Sequence, residues 1–239
     1  LVDMSMQKGI LSTILINSIK DTLNKKEQII ILQNKKGLSG SGIQKVENIL
    51  LINRSSITMS HPKIKEIIHK DFTDFSTIQN EFASYDACFH CMGVSSAGIS
   101  EEVYYKLTYT ISEALVNTIY DANPNMLFTY VSGAGTDSSE QSNTMWARVK
   151  GKTENMILNK GFKDAYAFRP GAILPERGVK SKTKLYNLFY SITKPIFPLL
   201  KRMKSVTTTS RIGQAMINLY NNPQSLKHLE GADINKVVL

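Results

Sequence analysis

Leu127–Lys152, LFTYVSGAGTDSSEQSNTMWARVKGK, is the stretch from which the rest of the chain is read. The apolar run Leu127–Val131 predicts a buried strand, since a strand covered on both faces has no polar alternation. Ser132 ends it, Gly133–Gly135 makes a small-residue turn, and a polar loop leads to a helix opening near Trp146 with Lys150 one turn in. A serine at the carboxyl end of a strand and a lysine on the following helix converge on the crevice where open α/β sheets take their ligands.

The flanking sequence repeats the alternation of strand and helix. Downstream, Gly161 ends the Lys150 helix, and a strand over Asp164–Phe168 runs into Arg169-Pro170-Gly171-Ala172-Ile173, whose Pro-Gly is a turn signal. Upstream, Ser84–Met92 reads as a strand and Gly93-Val94-Ser95-Ser96 as its exit. A helix over Glu101–Ala122 follows, capped by Ser100, with Glu101 and Glu102 at its positive end and Asn123-Pro124 as its stop. Val103, Leu107, Ile111, Leu115 and Ile119 form its expected buried stripe. Earlier still, Asn48–Asn53 is a continuous apolar strand ending in Arg54, and Lys65–Lys70 is a shorter one ending in Asp71-Phe72. Asp74 is the better cap for the helix near Phe75, which leaves Asp71 for another role. Thr209–Tyr220 reads as an amphipathic helix and Asp233–Leu239 as a last edge strand.

The amino-terminal part departs from this regularity. Ile10, Ile14, Leu15, Ile19 and Leu23 recur at helical spacing, yet almost no strand precedes them. A glycine cluster, Gly37-Leu38-Ser39-Gly40-Ser41-Gly42, follows the apolar run Gln28–Gln33. It is a candidate phosphate cradle by composition. Only Ile43–Asn48 separates it from the next strand, too short for a parallel crossover, so an insertion or hairpin loop is the preferred reading.

Taken together, Ser132, Lys150 and Arg169–Ile173 resemble the short-chain dehydrogenase/reductase superfamily, in particular its atypical epimerase/dehydratase-like branch, over roughly Asn48 to Tyr220. The resemblance implies one α/β domain, 1–239: a Rossmann-like, doubly wound, mostly parallel sheet with flanking helices, its first strand and glycine loop degraded or missing. It implies an NAD(P) cofactor and a carbonyl or alcohol substrate. Ser132 would hold the substrate oxygen and Lys150 the nicotinamide ribose. The family's acid/base tyrosine falls at Trp146, whose indole N–H donates a hydrogen bond but does not titrate as a phenol. Cofactor contacts are implied for Gly9 as the last glycine of the first turn, and for Asp71 and Phe72 at the adenine. Cys91, Met92 and Gly93 would pass beneath the nicotinamide ribose, and Pro170, Gly171 and Ile173 would lie against the nicotinamide. Arg54, with no acidic residue beside it, favours NADP over NAD. The alternative is a non-catalytic dinucleotide sensor or scaffold.

The chain has 239 residues, 42% of them hydrophobic and 21% charged, which suits a globular protein with a substantial core. The net charge of +9 fits an anionic partner, but no nucleic-acid motif accompanies it and none is expected to bind. The pair Cys88 and Cys91 has C-x-x-C spacing, but residues three apart on a strand point to opposite faces, so neither metal nor disulfide is expected. Lys180–Lys204 is basic and aromatic. It is read as a substrate-side lid within 174–206, as a membrane-surface contact, or as an ordinary packed helix. A homodimer built on the two helices beside the site is implied by the resemblance. No secretory pattern shows at the amino terminus, and a cytoplasmic location is expected.

Overall fold

The computed structural model describes residues 28–34, 46–56, 62–174, 203 and 205–238. Seven strands form one sheet: β1 (Gln28–Asn34), β2 (Val46–Asn53), β3 (Ile64–Ile68), β4 (Ala87–His90), β5 (Leu127–Val131), β6 (Asp164–Arg169) and β9 (His228–Glu230). Their order across the sheet is β3-β2-β1-β4-β5-β6-β9. Two further strands, β7 (Ala172–Leu174) and β8 (Val206–Thr208), pair in parallel as a small second sheet.

All neighbouring strands of the main sheet are parallel except at β1, which runs antiparallel to both β2 and β4. The place of a first Rossmann strand is therefore filled by Gln28–Asn34, but in reverse. Gln28 lies opposite Asn53 at the carboxyl edge of β2, and Asn34 lies opposite Val46 at its amino edge. The residues between Asn34 and Val46, glycine cluster included, join two antiparallel neighbours. This is the hairpin reading.

Both faces of the central strands β2, β4, β5 and β6 are buried, and alternation along them assigns their core side chains to one face or the other. Ile49, Leu51, Phe89, Cys91, Leu127, Val131 and Phe168 point to one side. There they meet Ile212, Met216 and Leu219 of α4 (Thr209–Asn221) and Ile234 of α5 (Gly231–Val237). Leu50, Ile52, Cys88, Met92, Phe128 and Tyr130 point to the other side. They pack on Phe72, Phe75 and Phe82 around a 3-10 turn (Ser76–Glu81), on α2 (Ile111–Ala122), and on Ile157 of α3 (Met145–Leu158). Each such buried aliphatic or aromatic side chain contributes roughly 1.5–3 kcal/mol relative to exposure, so a one-residue slip of a central strand would expose most of that gain. Cys88 and Cys91 lie on opposite faces, both free and buried, and burial raises the Cys91 thiol to about 12.

Two expectations are corrected. Asp233–Leu239 is not a strand: Gly231–Val237 is helical, because Ile234, Val237 and Val238 recur at i, i+3 and i+4 and pack on the core as one stripe. The edge strand is the shorter His228–Glu230. Val103 is not in the buried stripe of its helix but 45% exposed, while Tyr104 and Thr108 face inward. Between α1 (Glu101–Tyr105) and α2 lies a π segment, Lys106–Thr110, in which the Ile111 N–H reaches back five residues to the Lys106 carbonyl. The extra residue in that turn shifts the buried face by one position before it.

Candidate functional site

The site forms at the carboxyl edge of β5 and β6. β5 continues past its last residue alongside β6: the Ser132 N–H donates to the Phe168 carbonyl at 2.8 Å and the Ala134 N–H to the Pro170 carbonyl at 3.0 Å. The two motifs that sequence reading singled out, Val131–Gly135 and Arg169–Ile173, thus lie side by side. α3 begins at Met145 and brings its lysine back over the turn, where Lys150 Nζ donates to the Ser132 carbonyl at 2.6 Å. A methyl group on Gly133 would stand 3.8 Å from that ammonium.

The approach of α3 depends on Gly151. A Cβ there would lie 1.7 Å from the Asp137 carbonyl oxygen, closer than any side chain permits, so the loop after the turn rests directly on the helix backbone. Asp137 organises that loop. One carboxylate oxygen accepts from the Ser139 N–H and hydroxyl, the other from the Gln141 and Ser142 N–H groups. The Ser139 hydroxyl, then the Ser142 amide, hold this carboxyl below the ordinary aspartate range. Trp146 is half-buried, and its ring edge would meet a Cβ on Gly135 at 3.3 Å; Gly135 has φ of +85°, so the turn needs glycine on both counts.

Ser132 and Thr136 are buried, their hydroxyl oxygens 2.8 Å apart. One turn beyond Lys150, Glu154 is fully buried and grips Arg169 through Nε at 3.1 and 3.2 Å and through a terminal nitrogen. His228 Nε2 approaches the same carboxylate at 3.5 Å and Glu230 stands 3.7 Å from the guanidinium. This ion pair ties the lysine helix to the strand that leads into Pro170 and Gly171. Neither Thr136 nor Glu154 was singled out from sequence. Glu154 had a signal, since Trp146, Lys150 and Glu154 recur every fourth residue and share a helix face.

The remaining predicted residues distribute along the same edge. Cys91 and Met92 are buried beyond β4, and Gly93 after them has open space wherever a Cβ would point. Ile173 is in β7, partly buried, and a Cβ on Gly171 would stand 3.0 Å from the Ser205 carbonyl. At the far end of the edge, Arg54 leaves β2 and lays its guanidinium 4.8 Å from the centre of the Phe72 ring. Phe72 is only 2% exposed, so a ligand at this end meets the arginine rather than the phenyl face. Asp71 accepts both Thr73 hydrogen bonds on one oxygen, the hydroxyl at 2.6 Å and the amide at 2.9 Å, which hold its carboxyl below the ordinary range. Gly9 and, apart from residue 203, the segment 180–204 lie outside the described residues, as does most of the expected lid. Among the described residues, no three metal-binding side chains cluster and no helix is long and apolar enough to cross a membrane.

The fit to a dinucleotide is uneven. The Lys150 ammonium over the Ser132–Gly133 turn and the open flank of Gly93 suit a ribose and its ring. The pyrophosphate would normally meet a helix delivered by the first strand and its glycine turn. Here β1 presents its amino end at that edge, so it delivers no such helix.

No protein-family model matches the chain. It is 24% identical over 220 residues to the mitochondrial protein FMP52 of Meyerozyma guilliermondii, covering 86% of this chain and 93% of that one. It is 28% identical over 167 residues to the mitochondrial protein FMP52-1 of Scheffersomyces stipitis, covering 66% and 72%. These relatives overturn the expected cytoplasmic location, which rested only on the lack of a secretory pattern. Among solved structures, gox2253 superposes with a TM-score of 0.55 at 11% identity, over 75% of this chain and 60% of that one. The thiolation-reductase di-domain of an archaeal non-ribosomal peptide synthetase gives 0.54 at 13% identity, over 72% and 54%. The chain thus spans less than two thirds of either solved structure. It has the Rossmann-like α/β fold that the short-chain dehydrogenase/reductase resemblance implied, built on a reversed first strand.

Proposed function

We propose that this chain is an NAD(P)-binding protein of oxidoreductase or epimerase type, acting on a carbonyl or alcohol, and that it works in the mitochondrion as its relatives are named to do. The observation that carries the reading is the Lys150 Nζ to Ser132 carbonyl bond at 2.6 Å, set beside the Pro170–Gly171 turn. Lys150 would bind the ribose hydroxyls and keep the local field positive. Cys91, Met92 and Gly93 would line the floor, and Pro170, Gly171 and Ile173 would orient the ring. Bound there, the nicotinamide would give hydride to a carbonyl or take it from an alcohol. Ser132 would hold the substrate oxygen, Trp146 would exclude water from one side, and the proton would travel by water. Arg54 supports NADP, since a guanidinium is the preferred partner of a 2′-phosphate and no carboxylate follows β2 directly.

A second reading, a dinucleotide sensor without catalysis, is favoured by two specific observations: the indole of Trp146 in place of a phenol, and the reversed β1. One experiment separates the two. Trp146 is the sole tryptophan, so its emission on titration with NADPH and NADH reports binding beside the Gly133–Gly135 turn. Binding with turnover on a carbonyl panel supports the enzyme, and binding without turnover supports the sensor. Absence of binding to either nucleotide removes both.

A further inference from the structure

We infer that Thr136 holds Ser132 as a hydrogen-bond acceptor, so that the site takes a substrate hydroxyl in preference to a carbonyl. The inference rests on the proposed role of Ser132 as the residue that meets the substrate oxygen. Thr136 Oγ1 lies 2.8 Å from the Gly133 carbonyl oxygen and 2.8 Å from Ser132 Oγ. A hydroxyl has one proton. The Gly133 carbonyl has none, so its contact with Thr136 is a hydrogen bond only if Thr136 donates it. Ser132 must then donate to Thr136. The opposite assignment places two oxygens 2.8 Å apart with no proton between them, in a turn where both side chains are buried and water cannot fill the gap.

With its proton turned inward, Ser132 Oγ offers only lone pairs to whatever enters the crevice. An alcohol donates to them directly. A ketone oxygen brings lone pairs against lone pairs, and one buried acceptor stays unpaired. Thr136 is thereby a positioning residue that sets substrate class through Ser132. The lysine does not relax this: it donates to the Ser132 carbonyl, and an ammonium has no lone pair to accept the Ser132 proton.

The test uses the full chain and a panel of secondary alcohols with the ketones of the same skeletons, from isopropanol and acetone to cyclohexanol and cyclohexanone. Binding is followed by ligand-observed NMR with and without NADP. The native protein is expected to favour alcohols by about tenfold. Thr136→Val frees the Ser132 proton and should bring the ratio near unity, whereas Thr136→Ser keeps the hydroxyl and should restore it. A native protein that binds no alcohol, or favours ketones, overturns the inference. So does a Thr136→Val protein that keeps the native ratio while folded. Failure to bind either NADP or NAD with the alcohol preference intact would sink the function proposed above and leave this inference standing.

Discussion

The two ends of the carboxyl edge are built by different means. Around β5 and β6 the site is made by residues close in sequence: a turn, a loop folded on its own aspartate, and a helix that returns over the turn because Gly151 lets it. Around β1 and β2 the sheet keeps its strand order and loses a direction. Burial and ladder bonds are indifferent to that reversal, since an antiparallel pair is at least as stable as a parallel one. Phosphate binding is not indifferent, because only a strand that ends at the crevice can deliver a glycine turn and a helix amino terminus there. Sheet position is thus specified by apolar pattern, and ligand capacity by polarity.

If that contrast is right, the β5–β6 end should fail abruptly when its internal ties are cut. Glu154→Leu leaves Arg169, its side chain only 12% exposed, with the half-exposed Glu230 at 3.7 Å in place of a fully buried carboxylate partner. The expected loss is about 3–5 kcal/mol, the usual cost of breaking a buried ion pair from one side. Thermal melting checks it, and Glu154→Leu combined with Arg169→Met should recover much of the loss. Gly151→Ala comes next. Its methyl meets backbone rather than a yielding side chain, so about 3 kcal/mol is expected, together with a shift in Trp146 emission as α3 lifts off the loop. An unchanged melting temperature would show that the loop does not rest on the helix.

Between the two ends stands His90, on β4 beside the reversed strand. Ser112 donates its only hydroxyl proton to the Thr108 carbonyl, so His90 Nε2 must donate to Ser112, while Nδ1 is buried with no hydrogen-bond partner to hold a second proton. Burial lowers its pKa from 6.5 to about 3. A histidine lowered on folding binds protons more weakly in the native state. Stability is therefore full above the unfolded value and falls as pH drops from 6.5 toward 3. The contribution is about 2 kcal/mol by about pH 5, and His90→Asn should flatten that part of the acid limb. Parallel curves for the two proteins would mean that His90 is already solvated.

How much of this was legible depended on whether a signal was local. Leu127–Val131 matches its strand residue for residue, and the start of α3 falls one residue from Trp146, because an apolar run, a glycine turn and a helix lie in sequence order. The C-x-x-C pair was legible as core from strand alternation alone. Val103 was misplaced because a π turn shifts the helical period, and apolar spacing assumes that the period is constant. Gly231–Val237 was misread because the terminal pair Val237-Val238 suggests a strand, and the helical spacing back to Ile234 spans little more than one turn. The direction of β1 was beyond reach in a different way: QIIILQN has the same apolar pattern in either direction, and only the short connection to β2 betrayed the hairpin. Thr136 was missed because its role is to place a proton, which no spacing records.

The smallest effect belongs to the β1–β2 end, where the reversed strand leaves Arg54 as the described side chain best placed to hold a dinucleotide's far phosphate. Arg54 is held by its stacking on Phe72 and by Lys70, which donates to its carbonyl at 2.8 Å, so its guanidinium is aimed rather than free to wander. Arg54→Ala should weaken NADPH binding about tenfold, or about 1.4 kcal/mol, and leave NADH binding nearly unchanged. The gap between the two nucleotides should narrow as salt rises, because a half-exposed contact of this kind is screened over a Debye length of about 10 Å at 0.1 M ionic strength. Equal losses for the two nucleotides would place Arg54 outside the 2′-phosphate contact. The reversed β1 would then have disabled both the pyrophosphate and the ribose phosphate sites, leaving affinity to the Lys150 end alone.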